Sequence, residues 1–350
     1  MRRRLICSEE FNSGRFSNEE GGRRMKAQSR RQNESKRAAG SEFRLQPSAV
    51  SLSRRVWQLQ HRFAPQIFIS PFVILLAIFL LYPLTRSLIL STYSTAGGPK
   101  EEKFIGLGNY RFLLQDRLFW GATLNTIVFA VGLVTFQIPL SLALAMLLNS
   151  ASLRCRDLFR FIFFSTYLVG GVVGAIIFSM LLDTRHGLLN ESLSFVLRRT
   201  IEIDWLGEPN LAMVSILMAA LWLSVGFGMI YLLAGLQAVD LELYDAANMD
   251  GADAWQRFIH ITLPELRGVL GFLIVVGTIG AFQLFELPYV LFRQNTGPAG
   301  RGLTVVMYLF LTGFQAGDLG YAAAIGWMLV VLIFIVSLIQ IRFLRLHRTR

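Results

Sequence analysis

Charge is what this sequence has least of. Lys, Arg, Asp and Glu make up 16% of its 350 residues, where soluble domains carry about 25%, and the mean hydropathy is +0.49. That balance excludes an ordinary soluble globular chain. Cysteine is nearly absent: Cys7 and Cys155 do not make a disulfide framework. The four histidines, His61, His186, His260 and His347, lack metal-ligand spacing, so neither a metal nor a cofactor is expected. Lysine occurs only as Lys26, Lys36, Lys100 and Lys103, which follow Met, Ser, Pro and Glu. A phosphate-binding loop needs Gly-Lys-Ser/Thr, so ATP hydrolysis by that route is excluded. No catalytic triad or paired carboxylate stands out, and the chain is not expected to be an enzyme. The net charge of +11 comes with no folded basic domain and no recognition motif, which argues against a nucleic-acid partner.

Apolar sequence is abundant instead. Charge-free runs cover Phe63–Thr85, Leu118–Leu153, Phe161–Leu182, Pro209–Val239, Gly268–Phe285 and Leu319–Ile341. Roughly 20 apolar residues suffice for a helix to cross the hydrocarbon core. The expectation is an all-α polytopic protein with six transmembrane helices in the lipid bilayer. A seventh stretch, Leu303–Phe314, is short enough to be a non-spanning element. With six spans, 24 of the 34 Lys and Arg residues fall on the side that carries both termini. Positively charged loops stay inside, which places the N- and C-termini in the cytoplasm.

Residues 1–60 form a polar, Arg-rich extension that cannot bury enough surface to fold alone. The first ten residues, MRRRLICSEE, have no apolar run of the signal-peptide kind. A disordered cytoplasmic extension is expected, with a start at Met25 or a lipid-headgroup contact as alternatives. Residues 61–346 are expected to form the transmembrane domain. Within it, Phe104, Tyr110, Phe119 and Trp120 resemble interfacial anchors. Gly170 and Gly174 have the spacing of a helix-packing pair.

The segment 240–266 breaks the pattern. With Arg267 included it holds six acids and two arginines, against the positive-inside trend. It reads as a helix, LELYDAANM, an Asp-Gly turn, and a second helix, ADAWQRFIHI, before Pro264. Asp250 is a candidate cap for the second helix. Ala246 and Ala247 would let a partner surface come close, Asp245 would present a charge, and Phe258 and Ile261 would supply apolar anchors. Composition leaves an ordinary solvated loop equally open.

The pattern Asp245-Ala246-Ala247, Asp250-Gly251-Ala252, Phe258, Ile261, Leu263-Pro264 resembles the EAA loop of binding-protein-dependent ABC importer permeases. It departs only at the first position, where Asp245 replaces Glu. The stretches FIGLGNYRFLLQDRLFWGATLNTIVF and LFRQNTGPAGRGLTVVMYLFLTGFQAGDLGYAAAI are similar to sugar-type members, of the maltose and glycerol-3-phosphate permease subgroup. Gly170-Gly171 stands where relatives often carry proline. The resemblance spans about residues 65–345. It implies the type I importer permease fold in the inner (plasma) membrane and two separate ATPase subunits docked on the 240–266 loop. It further implies a second permease, as a heterodimer, an external solute-binding protein, and a carbohydrate-type substrate. A stand-alone secondary transporter or channel is the alternative.

Glu286, with Gln283 three residues before it and Tyr289 three after, is the candidate substrate-pathway group. An ionisable residue next to a span marks function by default, and carboxylate, amide and ring together suit a sugar. A position at the outer headgroup level, simply solvated, is the competing reading.

Overall fold

Long apolar runs with few breaks make long helices, and helices dominate the computed structural model. It describes residues 66, 68–95, 102–150 and 154–346. The expected extension 1–60, the ends of the tails, and Cys7, His61 and His347 lie outside these residues. Two units divide the chain, Met1–Leu80 and Leu81–Arg350. From Phe68 on, the described part of the first is helical and belongs to the candidate span α1 (Phe68–Leu90).

In the second unit the end of α1 leads into a two-residue strand, β1 (Tyr93–Ser94), paired antiparallel with β2 (Lys103–Phe104). The short helix α2 (Gly108–Gln115) follows, then the long α3 (Arg117–Asn149) with Pro139 inside it. Next come α4 (Arg156–Leu168), α5 (Gly171–Leu181), α6 (Leu188–Leu197) and α7 (Pro209–Gln237). The acidic segment forms α8 (Leu241–Met249) and α9 (Ala254–Glu265). The chain ends with α10 (Arg267–Phe282), α11 (Glu286–Leu291), α12 (Val305–Gln315) and α13 (Leu319–Leu346).

Helices α1, α3, α7 and α13 are each long and apolar enough to cross a membrane. Among the described residues, two bent pairs are further candidates: α4 with α5, which turns by 99°, and α9 with α10, by 65°. Taking each pair as one span gives up to six among the described residues, the number the hydrophobic runs predict. The stretch read as short and non-spanning becomes α12, which is indeed too short to cross.

The bend between α4 and α5 corrects the expectation of one continuous third span. Gly170 takes φ +78, ψ 157, a region open essentially to glycine alone. It therefore caps α5 from outside the helix, and its pairing with Gly174 on one helical face does not form. Gly174 instead packs beside Leu223 of α7. The fifth run is also interrupted: α10 stops at Phe282 and α11 starts at Glu286.

The core has two parts. One cluster, including Phe119, Phe129, Phe178, Ile216, Met307 and Ile325, joins α3, α5, α7, α12 and α13. The other, including Leu148, Leu232, Leu236, Leu266 and Leu273, joins α3, α7 and the start of α10 at the end next to the acidic segment. Where α3 passes α7, Gln137 Nε2 donates to the carbonyl of Ser224 at 3.2 Å and Ser141 Oγ to that of Val225 at 2.9 Å. Phe119, expected at the interface, is 1% exposed and belongs to the first cluster. Trp120 and Phe104 remain exposed. Tyr110 is half-buried, its hydroxyl 2.8 Å from Ser91 Oγ.

Candidate functional site

Local chemistry shapes the acidic segment at every turn. Asp240 opens α8 by accepting from the Glu242 N–H at 3.0 Å. Gly251, at φ +76, closes it: the Ala252 N–H reaches the Ala247 carbonyl at 2.9 Å and the Gly251 N–H that of Asn248 at 3.2 Å. This pair of bonds is a Schellman cap, which needs the left-handed residue that glycine supplies. Asp250 is thus the C-cap of α8, correcting its expected role as cap of the next helix. Asp253 has that role. Its carboxylate accepts from the Gln256 N–H at 2.7 Å while Gln256 Oε1 accepts from the Asp253 N–H at 2.9 Å, a reciprocal capping box.

Cross-links then join the two helices. Tyr244 Oη and Thr262 Oγ1 lie 2.9 Å apart, with Thr262 buried. Arg257 donates to Asn248 Oδ1. Phe258 packs against the cluster that contains Leu236 and Leu266. Of the expected apolar anchors, Phe258 is therefore turned at least partly toward its own chain, and Ile261 is half-buried. Leu263 is exposed and Pro264 half-buried, just after the π-helical turn Phe258–Thr262. The widened turn suits the missing N–H and bulky ring of Pro264. Asp245, Ala246, Asp250 and Gly251 are exposed, Ala247 and Ala252 half-buried. Around them lie exposed apolar side chains: Met249 at 88%, Leu241 at 74% and Trp255 at 66%.

The second place of interest is where the two interrupted helices meet. Gln283 ends α10 and is exposed; Glu286 begins α11 and is exposed; Tyr289 is half-buried. Three residues apart, Gln283 and Glu286 would share one face of a continuous helix, but the helix is broken between them. The side chain of Glu286 lies across Gly171, the first residue of α5, and a methyl group on Gly171 would collide with Glu286 Oε2. Beside it, Phe285 stacks on Tyr289 at 5.0 Å between ring centres and meets Phe310 at 4.9 Å. Phe310 stacks in turn on Phe314 at 5.3 Å. Phe314 is 69% exposed.

At the end remote from the acidic segment, a polar clamp escaped the sequence reading. Asp116 caps α3 by accepting from the Leu118 N–H at 2.9 Å, and its other oxygen accepts from Tyr308 at 2.5 Å and Tyr321 at 2.6 Å. Burial pushes its carboxyl up, but the donors of Tyr308, Tyr321 and the Leu118 backbone prevail and hold it below the ordinary value. Asn125 fastens the turn before α12 with bonds to the carbonyls of Gly300 and Leu303 at 2.9 and 3.0 Å. A cavity of about 450 Å³ opens there, with Asp183, Asp204, Arg293 and Asn295 on its wall. The backbone N–H groups of His186 and Arg185 lower the Asp183 carboxyl. The only signal for the clamp in sequence was three unremarkable residues, far apart, in two stretches of family likeness.

Comparison with known proteins places this geometry. Residues 137–349 match the family described as "Binding-protein-dependent transport system inner membrane component". The chain is 36% identical over 279 residues to the arabinooligosaccharides transport system permease protein AraP of Bacillus subtilis, covering 80% of this chain and 88% of that one. It is 35% identical to the lactose transport system permease protein LacF of Rhizobium radiobacter, covering 78% and 91%. Against the trehalose/maltose transport system permease protein MalF of Thermococcus litoralis it is 31% identical, covering 80% and 93%. The fold is similar to a solved bacterial ABC transporter involved in import of the acidic polysaccharide alginate, with TM-score 0.71, 23% identity, and coverage of 83% and 98%.

Proposed function

The chain belongs to the inner-membrane components of binding-protein-dependent transport systems, and from that premise we propose that it forms half of the path for a carbohydrate and is driven by separate ATPase subunits through its acidic segment. As a member of that family it is a multi-pass membrane permease, and the chemistry of transport lies in conformational change. The substrate class follows from relatives named for arabinooligosaccharides, lactose and trehalose/maltose. The partners are a second permease, as a heterodimer, an external solute-binding protein and the ATPase pair. Both termini and the acidic segment face the cytoplasm.

The observation that carries the coupling role is the exposed helix α8 on a stiff mount. Both ends of α8 are capped, α9 is boxed at its start, and the Tyr244–Thr262 and Arg257–Asn248 contacts tie one helix to the other. A segment so tied moves as a body. Asp245, Ala246, Ala247, Asp250, Gly251 and Ala252 meet the ATPase surface, while Phe258, Ile261, Leu263 and Pro264 relay its displacement to α10. Since Phe258 shares a cluster with Leu236 of α7 and Leu273 of α10, closure of the ATPase pair shifts both spans. Access then switches because the partner binds the two states with different affinity. At the other end of α10, Gln283, Glu286 and Tyr289 line the path, with the stacked rings beside them offering faces to sugar C–H surfaces.

The test is gentle detergent extraction of the tagged chain followed by mass spectrometry of what accompanies it. An ATP-binding subunit and a second permease are expected, with the ATP-binding subunit lost from the Asp245→Lys variant. Recovery of this chain alone, still moving solute in vesicles, would overturn the proposal in favour of a stand-alone carrier.

A further inference from the structure

Glu286 is the only charged residue between Arg267 and Arg293, and the runs Phe161–Leu182 and Leu319–Ile341 that pack around this region carry none. Its carboxylate is held where two discontinuous helices begin. It belongs to the first residue of α11 and lies against the first residue of α5. The opening turn of α5 presents unpaired backbone N–H groups, the first intrahelical bond running from Gly174 to the Gly170 carbonyl. Neutralisation by a positive side chain is missing: no ion pair involves Glu286 among the described residues. The group is exposed, as is Gln283 beside it, and aromatic rings flank both.

An exposed carboxylate without a basic partner, set among charge-free helices, makes the local potential negative and so disfavours anions that pass close to it. Rings of Asp and Glu select cations in pores by the same physics. We propose that Glu286 is a charge filter in the solute path, so that the permeant is an uncharged or cationic carbohydrate and anionic saccharides and sugar phosphates are refused. This rests on the reading of residues 283–289 as path-lining and narrows the substrate class that reading leaves open. Gly171 is part of the device, because a methyl group there would push the Glu286 carboxylate from its place over the start of α5.

The test measures the local field without knowing the solute. In the complete transporter in membranes, with Cys7→Ser and Cys155→Ser removing the native thiols, a single Gln283→Cys substitution serves as a probe. It is exposed in turn to trimethylammonioethyl and sulfonatoethyl methanethiosulfonate, which are of similar size and opposite charge. Adding Glu286→Gln is expected to lower the ratio of cationic to anionic labelling rates about tenfold, whereas Glu286→Asp keeps it within about twofold of the original. Gly280→Cys, one turn earlier and with open space beside its Cα, repeats the measurement should the first position fold poorly. Labelling by both reagents at an unchanged ratio would overturn the charge filter while leaving the path reading intact. No labelling at either position would overturn the path reading itself, and the filter with it.

Discussion

Asp253 closes two hydrogen bonds with one side chain and its own backbone, and nothing else at that turn replaces them. Asp253→Ala is expected to cost about 1 kcal/mol locally, seen as faster hydrogen exchange at residues 254–257 with uptake reduced rather than abolished. Gly251 sits at φ +76 with open space around its Cα, so the cost of Gly251→Ala is conformational and not steric. About 1 kcal/mol of strain would loosen the cap, and ATP hydrolysis should become less responsive to solute. Asp116 makes a pH prediction. Its carboxyl is held below the ordinary 3.8 in the fold, so it stabilises the protein above that value and the contribution is lost as pH falls through the lowered one. The melting temperature of the purified transporter should exceed that of Asp116→Ala at neutral pH, and the difference should shrink below about pH 4.

Among the elements, the broken ones decide most. A helix start at Gly171 requires Gly170 to leave helical geometry at φ +78, which a residue with Cβ resists. The breaks in the third and fifth crossings lie side by side, with the Glu286 side chain over Gly171. Gly171→Ala is expected to displace the Glu286 side chain and cut uptake several-fold while membrane insertion is retained, checked by transport assay alongside membrane quantitation. Unchanged uptake would separate Gly171 from the path. The strand pair β1–β2 is joined to the start of α13 by Thr95, whose hydroxyl donates to Asp318 at 2.9 Å and accepts from the Gly320 N–H at 2.8 Å. This link, like the Asp116 clamp on Tyr308 and Tyr321, ties the start of the bundle to its end.

For the molecule as a whole, the charge distribution makes a topological prediction. With 24 of 34 basic residues on one side, both termini and residue 250 should be reached by membrane-impermeant reagents only from the cytoplasmic face, and residues 183–208 only from the other. Single-cysteine labelling in right-side-out and inverted vesicles measures this directly. Labelling of residue 250 from outside would reverse the orientation and remove the acidic segment from any ATPase.

The sequence by itself determined where the apolar runs fall, the shortness of α12, and the position and internal turn of the acidic segment. Those features depend on hydrophobic length and on residues within a turn of one another, such as Asp-Gly at 250–251, so they are written locally. The cap of α9 was misplaced onto Asp250 because two aspartates lie three residues apart, and only backbone geometry distinguishes which one the N–H groups face. Tertiary structure alone decided that the third and fifth crossings bend, that Phe119 and Phe258 turn inward, and that Asp116 collects Tyr308 and Tyr321. Each of these depends on what another helix offers at the point of contact. An apolar run reads alike whether it continues straight or breaks, and what lies across the break here is a carboxylate more than a hundred residues further along the chain.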